Sequence, residues 1–329
     1  MDDLIDDIIQ KYPDIRESSV FEVGSNDGTL LKKFYQRGFT VCGIDPASIA
    51  AGIANQEGIK TYNTFFSKDF AYDLAYKNHK FDLVVSQNVL AHIENLRDVF
   101  EGIYLILKHG GKFIFEVGYF LSVVENNLID TIYHEHLDYH HANPLVRFLN
   151  KVGFSVEDID INSIQGGSLR IYASKDNTIE NSSNVKAFLA NELKTILFNK
   201  KDMLLWRASV DYRFKVLKDK ISKRLSDNCR LYAYGCPTKA VLLLNLLGLN
   251  QTHIKAIIED NIYKVGKFLP YSGIKILSKE SVELNESDML IILAWNFYED
   301  IKNNNIASGF FPPGLTLIKP LPETEFINV

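Results

Sequence analysis

One stretch near the start of the chain, residues 19–46 (SVFEVGSNDGTLLKKFYQRGFTVCGIDP), constrains the fold more than any other. It opens with a short apolar run that is typical of a buried parallel strand. Gly24 and Gly28 then bracket a polar turn, where a ligand can approach the backbone closely because glycine has no side chain. A helix follows, and a second apolar run ends at Asp45. The pattern predicts a strand–turn–helix–strand unit of a doubly wound sheet, in which ligands bind at the carboxyl ends of the strands.

The glycine spacing of this turn, G-x-x-x-G, differs from two common nucleotide sites. Neither the G-x-G-x-x-G of dinucleotide folds nor the G-x-x-x-x-G-K-[ST] of phosphate-binding loops is present. Glu22 and Asp27 instead place carboxylates beside the turn, which suit a ligand with a cationic end, such as the amino group and sulfonium of S-adenosylmethionine. The stretch resembles the first motif, E/D-x-G-x-x-x-G, of class I S-adenosylmethionine-dependent methyltransferases, whose second strand ends in an acidic residue. The alternative is a bare turn that binds nothing.

Further polar and aromatic residues follow the other predicted strands of the same sheet. Phe65 and Phe66 come after a short strand and either pack on an adenine ring or belong to the core. Gln87 and Asn88 leave a strongly apolar strand at the edge where ligands bind. The predicted donor-binding residues are Glu22, Gly24, Asn26, Asp27, Gly28, Asp45, Pro46, Phe65, Phe66, Gln87 and Asn88.

Length and composition indicate a globular chain of about two domains. The 329 residues are 46% hydrophobic, and the net charge of −5 gives no basic surface for nucleic acid. Cys42, Cys229 and Cys236 form no C-x-x-C pair, which argues against a structural zinc site and favours a reducing cytoplasm. No signal peptide or membrane-length apolar segment is visible, so we expect no membrane partner.

Strand and helix patterns alternate in the first half of the chain and again near its end. An amphipathic helix is predicted over residues 1–17, before the first strand. We expect an α/β fold with a Rossmann-like class I methyltransferase domain over 1–175 and a helical connector over 176–225. A second, smaller Rossmann-like α/β domain is predicted over 226–329, where a strand, a glycine turn and a helix recur.

Residues 130–141 (DTIYHEHLDYHH) break this alternation and hold four of the chain's eight histidines. His134 and His136 lie two apart, so they share a face on a strand but not on a helix. The H-E-x-x-H spacing is absent and no cysteine lies nearby, so the cluster does not match a metal site. By itself it fits either a catalytic group or a polar loop whose hydrogen bonds are satisfied.

Several short motifs give the cluster a context. They are EVGSNDGTLL (22–31), GIDPA (43–47), NVLAH (88–92), IYHEHLDY (132–139), GGSLR (166–170), YGCPTKAVLLLN (234–245), KVGKFLP (264–270) and LAWNF (293–297). In these motifs the chain resembles, over nearly its whole length, the sugar-nucleotide C-methyltransferases that act on deoxy-4-keto sugars. The resemblance implies that Tyr133, Glu135 and His136 of the YHEH motif, together with His92, line the catalytic cleft.

Those residue types suit methylation of a carbon beside a ketone. A histidine with a pKa near neutrality is a suitable general base, and a phenol can stabilise the developing enolate oxygen. A carboxylate can orient the imidazole and fix its tautomer. We therefore predict that His136 is the principal base, oriented by Glu135 or Tyr133, with His92 beside it. S-adenosylmethionine would donate the methyl group and leave as S-adenosylhomocysteine, and no metal is expected.

The resemblance also implies a nucleotide-linked small-molecule acceptor. Family members usually begin with a cysteine-rich zinc-binding domain, which this chain is expected to lack because it starts just before the first strand. The acceptor is expected over residues 166–170 and the turns at 234–270. Each basic candidate has an alternative interpretation as a solvated surface charge. The predicted acceptor-binding residues are Arg170, Tyr234, Lys239, Lys264, Lys267 and Asn296.

Three other functions are compatible with parts of the sequence. An O-methyltransferase acting on another nucleotide-activated precursor, for capsule or surface polysaccharide, would use the same histidine on a hydroxyl. A binding protein with the methyltransferase fold but no turnover is disfavoured by the intact Glu22, Asp45, His92 and YHEH motif. A nicotinamide oxidoreductase is disfavoured by the missing G-x-G-x-x-G.

Overall fold

The computed structural model describes residues 1–176, 181–225 and 229–329, which form two compact units. The first unit comprises Met1–Ser122 and Glu135–Phe198, and the second comprises Val123–His134 and Asn199–Val329. Part of the predicted connector, residues 177–180, and the predicted start of the last domain at 226 lie outside the described residues. The domain bounds expected from the sequence therefore stay a prediction.

A mixed seven-stranded sheet forms the centre of the first unit. Its order is β3-β2-β1-β4-β5-β7-β6, in which the strands up to β5 are parallel and the last two pairings are antiparallel. This is the predicted Rossmann-like α/β architecture. The strands are β1 (Ser19–Val23), β2 (Thr40–Ile44), β3 (Thr61–Tyr62), β4 (Phe81–Gln87), β5 (Leu107–Gly118), β6 (Ser155–Asn162) and β7 (Ser168–Ser174).

Helices cover both faces of this sheet, because alternate side chains of the buried strands point to opposite sides. In β4, Leu83 and Val85 join the core that also holds Leu31 and Phe34, whereas Val84 joins the core on the other face. The helices that begin in this unit are α1 (Asp2–Lys11), α2 (Thr29–Gln36), α3 (Ser48–Gln56), α4 (Lys68–Tyr76), α5 (Leu96–Ile106), α6 (Phe120–Glu125), α7 (Ala142–Val152) and α8 (Ser183–Glu192).

The first helix is shorter than the sequence pattern suggested. It ends at Lys11, and a single 3-10 turn, Pro13–Ile15, follows. Pro13 explains the difference, because proline offers no N–H to the helix and disfavours helical geometry in the residue before it. Leu4, Ile5 and Ile8 are buried as the amphipathic pattern predicted.

The second unit contains a six-stranded sheet with the order β10-β9-β8-β11-β12-β13, in which only the pairing of β13 is antiparallel. The long helix α9 belongs to its core, because Val210, Phe214, Leu217 and Ile221 recur at helical spacing and are buried there. The elements are α9 (Lys200–Leu225), β8 (Leu231–Tyr234), α10 (Ala240–Leu247), β9 (Ile254–Ile258), β10 (Ile276–Leu277), β11 (Met289–Ile292), α11 (Tyr298–Ala307), β12 (Thr316–Lys319) and β13 (Glu325–Asn328). Across the described ranges, no helix is both long and apolar enough to cross a membrane.

Candidate active site

The turn between β1 and α2 lies against the segment that follows β4. Gly24 has φ +75°, and its N–H donates to the carbonyl oxygen of Ile44 at 2.9 Å. A Cβ at this position would clash with the side chain of Val89. Gly24 is thus required twice, for its left-handed backbone and for its missing side chain. The same contact brings the NVLAH segment, which carries His92, beside the turn.

Asp45 comes directly after β2, where the sequence predicted it, and its carboxylate fixes the other side of this turn. One carboxylate oxygen accepts the N–H of Asn26 at 2.9 Å, and the other accepts the N–H of Ala47 at 2.8 Å. Asn26 has φ +49°, so the turn is held in a conformation that few non-glycine residues adopt. Pro46 follows as an exposed residue. The arrangement leaves a rigid carboxylate at the edge where a ribose diol would bind.

The pKa values of Glu22 and Asp27 are shifted in opposite directions. Glu22 is only 3% exposed, and its Oε2 has no hydrogen-bond partner among the described residues. Burial raises the pKa of Glu22 to about 8, with further contributions from the charges of Asp45 and Asp27. The pKa of Asp27 is instead lowered by hydrogen bonds from Thr29 at the start of α2. A buried carboxyl without a partner beside a glycine turn is a group that a cationic ligand would stabilise.

The amides after β4 lie at the same edge of the sheet. Asn88 adopts φ +55°, and its N–H donates to the carbonyl oxygen of Glu116 at 2.9 Å. Its Oδ1 is buried and finds no partner within the part of the chain that the structure describes. Gln87 precedes it, with Nε2 donating to the carbonyl oxygen of Ser86 at 3.2 Å. Asn88 therefore offers a second polar atom that a ligand could satisfy.

Phe65 and Phe66, the two candidates for stacking on the adenine ring, have different surroundings. Phe66 packs on Phe21 and Phe70, with ring centroids 5.9 and 6.1 Å away, so it matches the alternative interpretation as a core aromatic. Phe65 is 76% exposed and has a ring face open for stacking. Gly28 begins α2 as its N-cap with φ +80°.

His92 and His136 lie together in the first unit. Their ring centroids are 4.9 Å apart, and Nδ1 of His92 lies 2.7 Å from the carbonyl oxygen of Glu135. The loop is held further by the N–H of Leu137, which donates to the carbonyl oxygen of Ala91 at 2.8 Å. Because a carbonyl oxygen only accepts, Nδ1 of neutral His92 carries the hydrogen and Nε2 keeps its lone pair.

This contact involves the main chain of Glu135 and not its side chain. The backbone carbonyl fixes the tautomer of His92 because the loop turns back on the segment after β4. Orientation of His136 by the Glu135 carboxylate or by Tyr133 is a separate contact and stays a prediction. Tyr133 belongs to the second unit, where its ring centroid lies 6.0 Å from that of His134.

Comparison with known proteins identifies the family. Residues 163–322 match the family described as C-methyltransferase C-terminal domain, and residues 1–159 match a methyltransferase domain family. The C-methyltransferase NovU of Streptomyces niveus is 30% identical over 312 residues, which are 94% of this chain and 73% of that protein. The chain belongs to this C-methyltransferase family. It is a class I S-adenosylmethionine-dependent methyltransferase, as the first turn predicted.

Solved methyltransferase structures also align with part of this C-methyltransferase. Magnesium protoporphyrin IX methyltransferase (ChlM) from Synechocystis with bound SAH is 19% identical, covers 53% of this chain and 81% of that chain, and has a TM-score of 0.41. A SAM-dependent methyltransferase from Archaeoglobus fulgidus is 14% identical, covers 53% of this chain and 94% of that chain, and has a TM-score of 0.41.

Arg170 does not match its predicted role in the methyltransferase. Its guanidinium is nearly buried on β7, with Nε donating to Glu116 at 2.6 Å and Nη1 bound to Asp7. Glu116 is itself 1% exposed and also accepts from Asn162 at 2.9 Å. A cation already paired with two carboxylates is a structural ion pair, and we do not retain Arg170 as an acceptor ligand.

The predicted acceptor residues of the second unit have different surroundings. Tyr234 is 2% exposed, and its hydroxyl donates to Asp260 at 2.7 Å. Lys264 donates to the carbonyl oxygen of Cys236 at 2.9 Å, and Lys267 is exposed. Lys264 also lies 3.6 Å from Oε2 of Glu259, but its side chain is 41% exposed, so a phosphate could reach both lysines.

Lys239 and Asn296 contact each other in the second unit, with Nζ donating to Oδ1 at 2.6 Å. Their environment includes two residues that the sequence analysis did not single out, Asp130 and Trp295. Trp295 stands inside the LAWNF motif, which was a usable signal, whereas the burial of Asp130 had none. In the residues with described positions, no group of three or more His, Cys, Asp or Glu side chains could hold a metal ion.

Proposed function

We propose that this methyltransferase adds a methyl group to the carbon beside a ketone of a nucleotide-activated sugar, with His136 as the general base. The observation that carries the proposal is the pairing of His92 and His136 on the segment whose Val89 contacts Gly24. The family name specifies carbon as the acceptor atom, and the nucleotide sugar is our extension of it.

The residues of the turn fit S-adenosylmethionine. The unpartnered oxygen of Glu22 suits a cationic group, and the fixed carboxylate of Asp45 suits the two hydroxyls of a ribose. We assign the exposed ring of Phe65 to cover the adenine, whose amino group Oδ1 of Asn88 would accept from. When bound, the donor supplies an electrophilic methyl group.

The histidine pair supplies the base. Methyl transfer to carbon requires removal of a proton from the carbon beside the ketone, for which a neutral imidazole is suited. We assign that proton to His136, and we assign to His92 the tautomer with its hydrogen on Nδ1, which the carbonyl oxygen of Glu135 accepts. Tyr133 is proposed to stabilise the enolate oxygen by donating its phenolic hydrogen.

The acceptor's nucleotide is assigned to the second unit. Lys264 and Lys267 carry positive charge beside the turn that follows β9, and a diphosphate is the group such a pair would recognise. We also propose that the reaction takes place in the cytoplasm, as the cysteine spacing predicts.

Proton exchange tests the assignment directly. The protein is incubated in D2O with a nucleotide-linked 4-keto sugar and S-adenosylhomocysteine, and deuterium at the carbon beside the ketone is measured by NMR. Wild type should exchange that proton, and His136→Ala should slow exchange by about 10²–10⁴-fold, the usual contribution of a general base. His109→Ala, an exposed histidine of the same unit, is the matched control and should exchange at the wild-type rate.

Two other results of the exchange experiment would contradict the proposed assignment. Exchange retained in His136→Ala but lost in His92→Ala would make His92 the base, through its Nε2. No exchange by wild type, combined with methylation of a hydroxyl, would refute the carbon acceptor and support the O-methyltransferase alternative.

A further inference from the structure

A buried carboxylate from the middle of the chain lies in the second unit, far in sequence from its partners. Asp130 is fully buried, and one of its oxygens accepts the indole N–H of Trp295 and lies 2.9 Å from Nζ of Lys239. The same Nζ donates to Asn296 and lies 4.4 Å above the Trp295 ring. We call Asp130, Lys239, Trp295 and Asn296 the Asp130 cluster.

The cluster occupies the position where a doubly wound sheet ordinarily binds a ligand. Lys239 immediately precedes α10, which follows β8, and Trp295 and Asn296 come shortly after β11. β8 and β11 are neighbours in the sheet, and the strand order reverses direction between them. Ligands bind at such a crevice beyond the carboxyl ends of the strands. Here the carboxylate of Asp130 already pairs with the lysine of that crevice.

Asp130 is also three residues before Tyr133 and six before His136. Its neighbour Ile129 packs against the hydrophobic core of the second unit, so this part of the chain is fixed by packing as well as by charge. On the far side of the YHEH motif, Leu137 is bound to Ala91 within the first unit. The packing of Ile129 and the charge pair of Asp130 therefore anchor the end of the motif that belongs to the second unit.

We infer that Asp130 is a positioning residue for the YHEH loop, and that Lys239, Trp295 and Asn296 serve it and not the acceptor. The inference rests on the proposed roles of Tyr133 and His136. A catalytic group must be held close to its productive position, and displacement by about 1 Å can cost about 10²-fold in rate. A buried ion pair is a suitable anchor because breaking it leaves a charge without compensation.

Asp130→Asn is the most informative variant. It keeps the size of the side chain and an oxygen for the Trp295 N–H, but it removes the charge that pairs with Lys239. Lys239→Met is the second variant, which breaks the same pair from the other side. Asp219→Asn and Lys255→Met, both exposed in the second unit, are the matched controls.

Trp295 reports the state of the cluster without any acceptor. The chain has two tryptophans, so a Trp206→Phe background leaves Trp295 as the single fluorophore. Four quantities are measured for each variant and for wild type. They are the Trp295 emission, the hydrogen–deuterium exchange of residues 129–137, the dissociation constant for S-adenosylhomocysteine, and kcat. Asp130→Asn and Lys239→Met should each shift the emission, speed amide exchange in the loop and lower kcat about 10²-fold. Donor affinity should stay within about twofold, which a general loss of folding would not allow.

Two results would overturn the inference. Altered emission with wild-type exchange in the loop and wild-type kcat would mean that the cluster stabilises the second unit only. A fall in kcat with unchanged emission and exchange would mean that Asp130 contacts the acceptor itself. Failure of the proposed acceptor assignment would remove the kcat comparison for that sugar but leave the emission and exchange results, so the two failures are distinguishable.

Discussion

We expect that binding of the methyl donor releases a proton from the carboxyl group of Glu22. With a pKa of about 8, the free protein keeps the Glu22 carboxyl largely neutral at pH 7, about nine-tenths protonated. A donor with a cationic end favours the carboxylate, so binding has to expel that proton. The affinity for the donor therefore rises with pH until Glu22 is ionised in the free protein, and it levels off above that pH.

The size of this pH effect follows from the difference of about one unit between the pKa of Glu22 and pH 7. Ionising a carboxyl of pKa about 8 at pH 7 costs about 1.4 kcal/mol, or about tenfold in affinity. We therefore expect the dissociation constant for S-adenosylhomocysteine to fall about tenfold between pH 6 and pH 7 and to change little above about pH 8. Close to one proton, about 0.9, should be released per donor bound at pH 7.

Isothermal titration calorimetry measures both quantities. Titrations in phosphate and in Tris, whose ionisation enthalpies differ, give the number of protons from the difference in observed heat. Glu22→Gln should abolish the release and flatten the pH dependence. Glu101→Gln is the matched control in the same unit, because the lowered pKa of Glu101 keeps it ionised with or without donor and its charge does not act on Glu22. Equal proton release by wild type and Glu22→Gln would show that the reasoning about Glu22 is wrong.

Two further substitutions test the framework of the first unit. Gly24→Ala should weaken donor binding at least tenfold in calorimetry, because the added Cβ clashes with Val89, whereas Gly58→Ala, which also has positive φ but open space around it, should bind normally. Arg170→Met should lower the free energy of unfolding in urea by about 3–5 kcal/mol, because it leaves the buried Glu116 charge unpaired. A loss below about 1 kcal/mol would contradict the role of the Arg170–Glu116 pair in stability.

The first turn was predictable from the sequence because its determinants are local. The positions of Gly24 and Asp45 follow from where two apolar runs end, and both residues lie at the carboxyl edge of the sheet as expected. By contrast, the hydrophobic pattern predicted no element over Lys68–Tyr76, where α4 forms. Ser67 carried the missing signal, since its side chain accepts the N–H of Phe70 as a helix N-cap.

Ion pairs between residues that are far apart in sequence could not be predicted from local sequence patterns. Arg170 looked like a free cation in the GGSLR motif, but its carboxylate partners are 54 and 163 residues away in sequence. Lys239 was assigned to the acceptor for the same reason, before its pairing with Asp130 was visible. Periodicity predicts which residues are buried, but it does not predict which buried charges meet.

The carboxylates at the edge of the first sheet also determine which class of ligand the turn can bind. The charges of Asp45 and Asp27 already raise the pKa of the buried Glu22. A pyrophosphate, as in a nicotinamide dinucleotide, would add negative charge, raise that pKa further and draw a proton onto Glu22. A sulfonium or ammonium group would lower the same pKa and release a proton. The sign of the proton linkage therefore separates the two ligand classes independently of affinity, and only release is compatible with a methyl donor whose cationic end lies at Glu22.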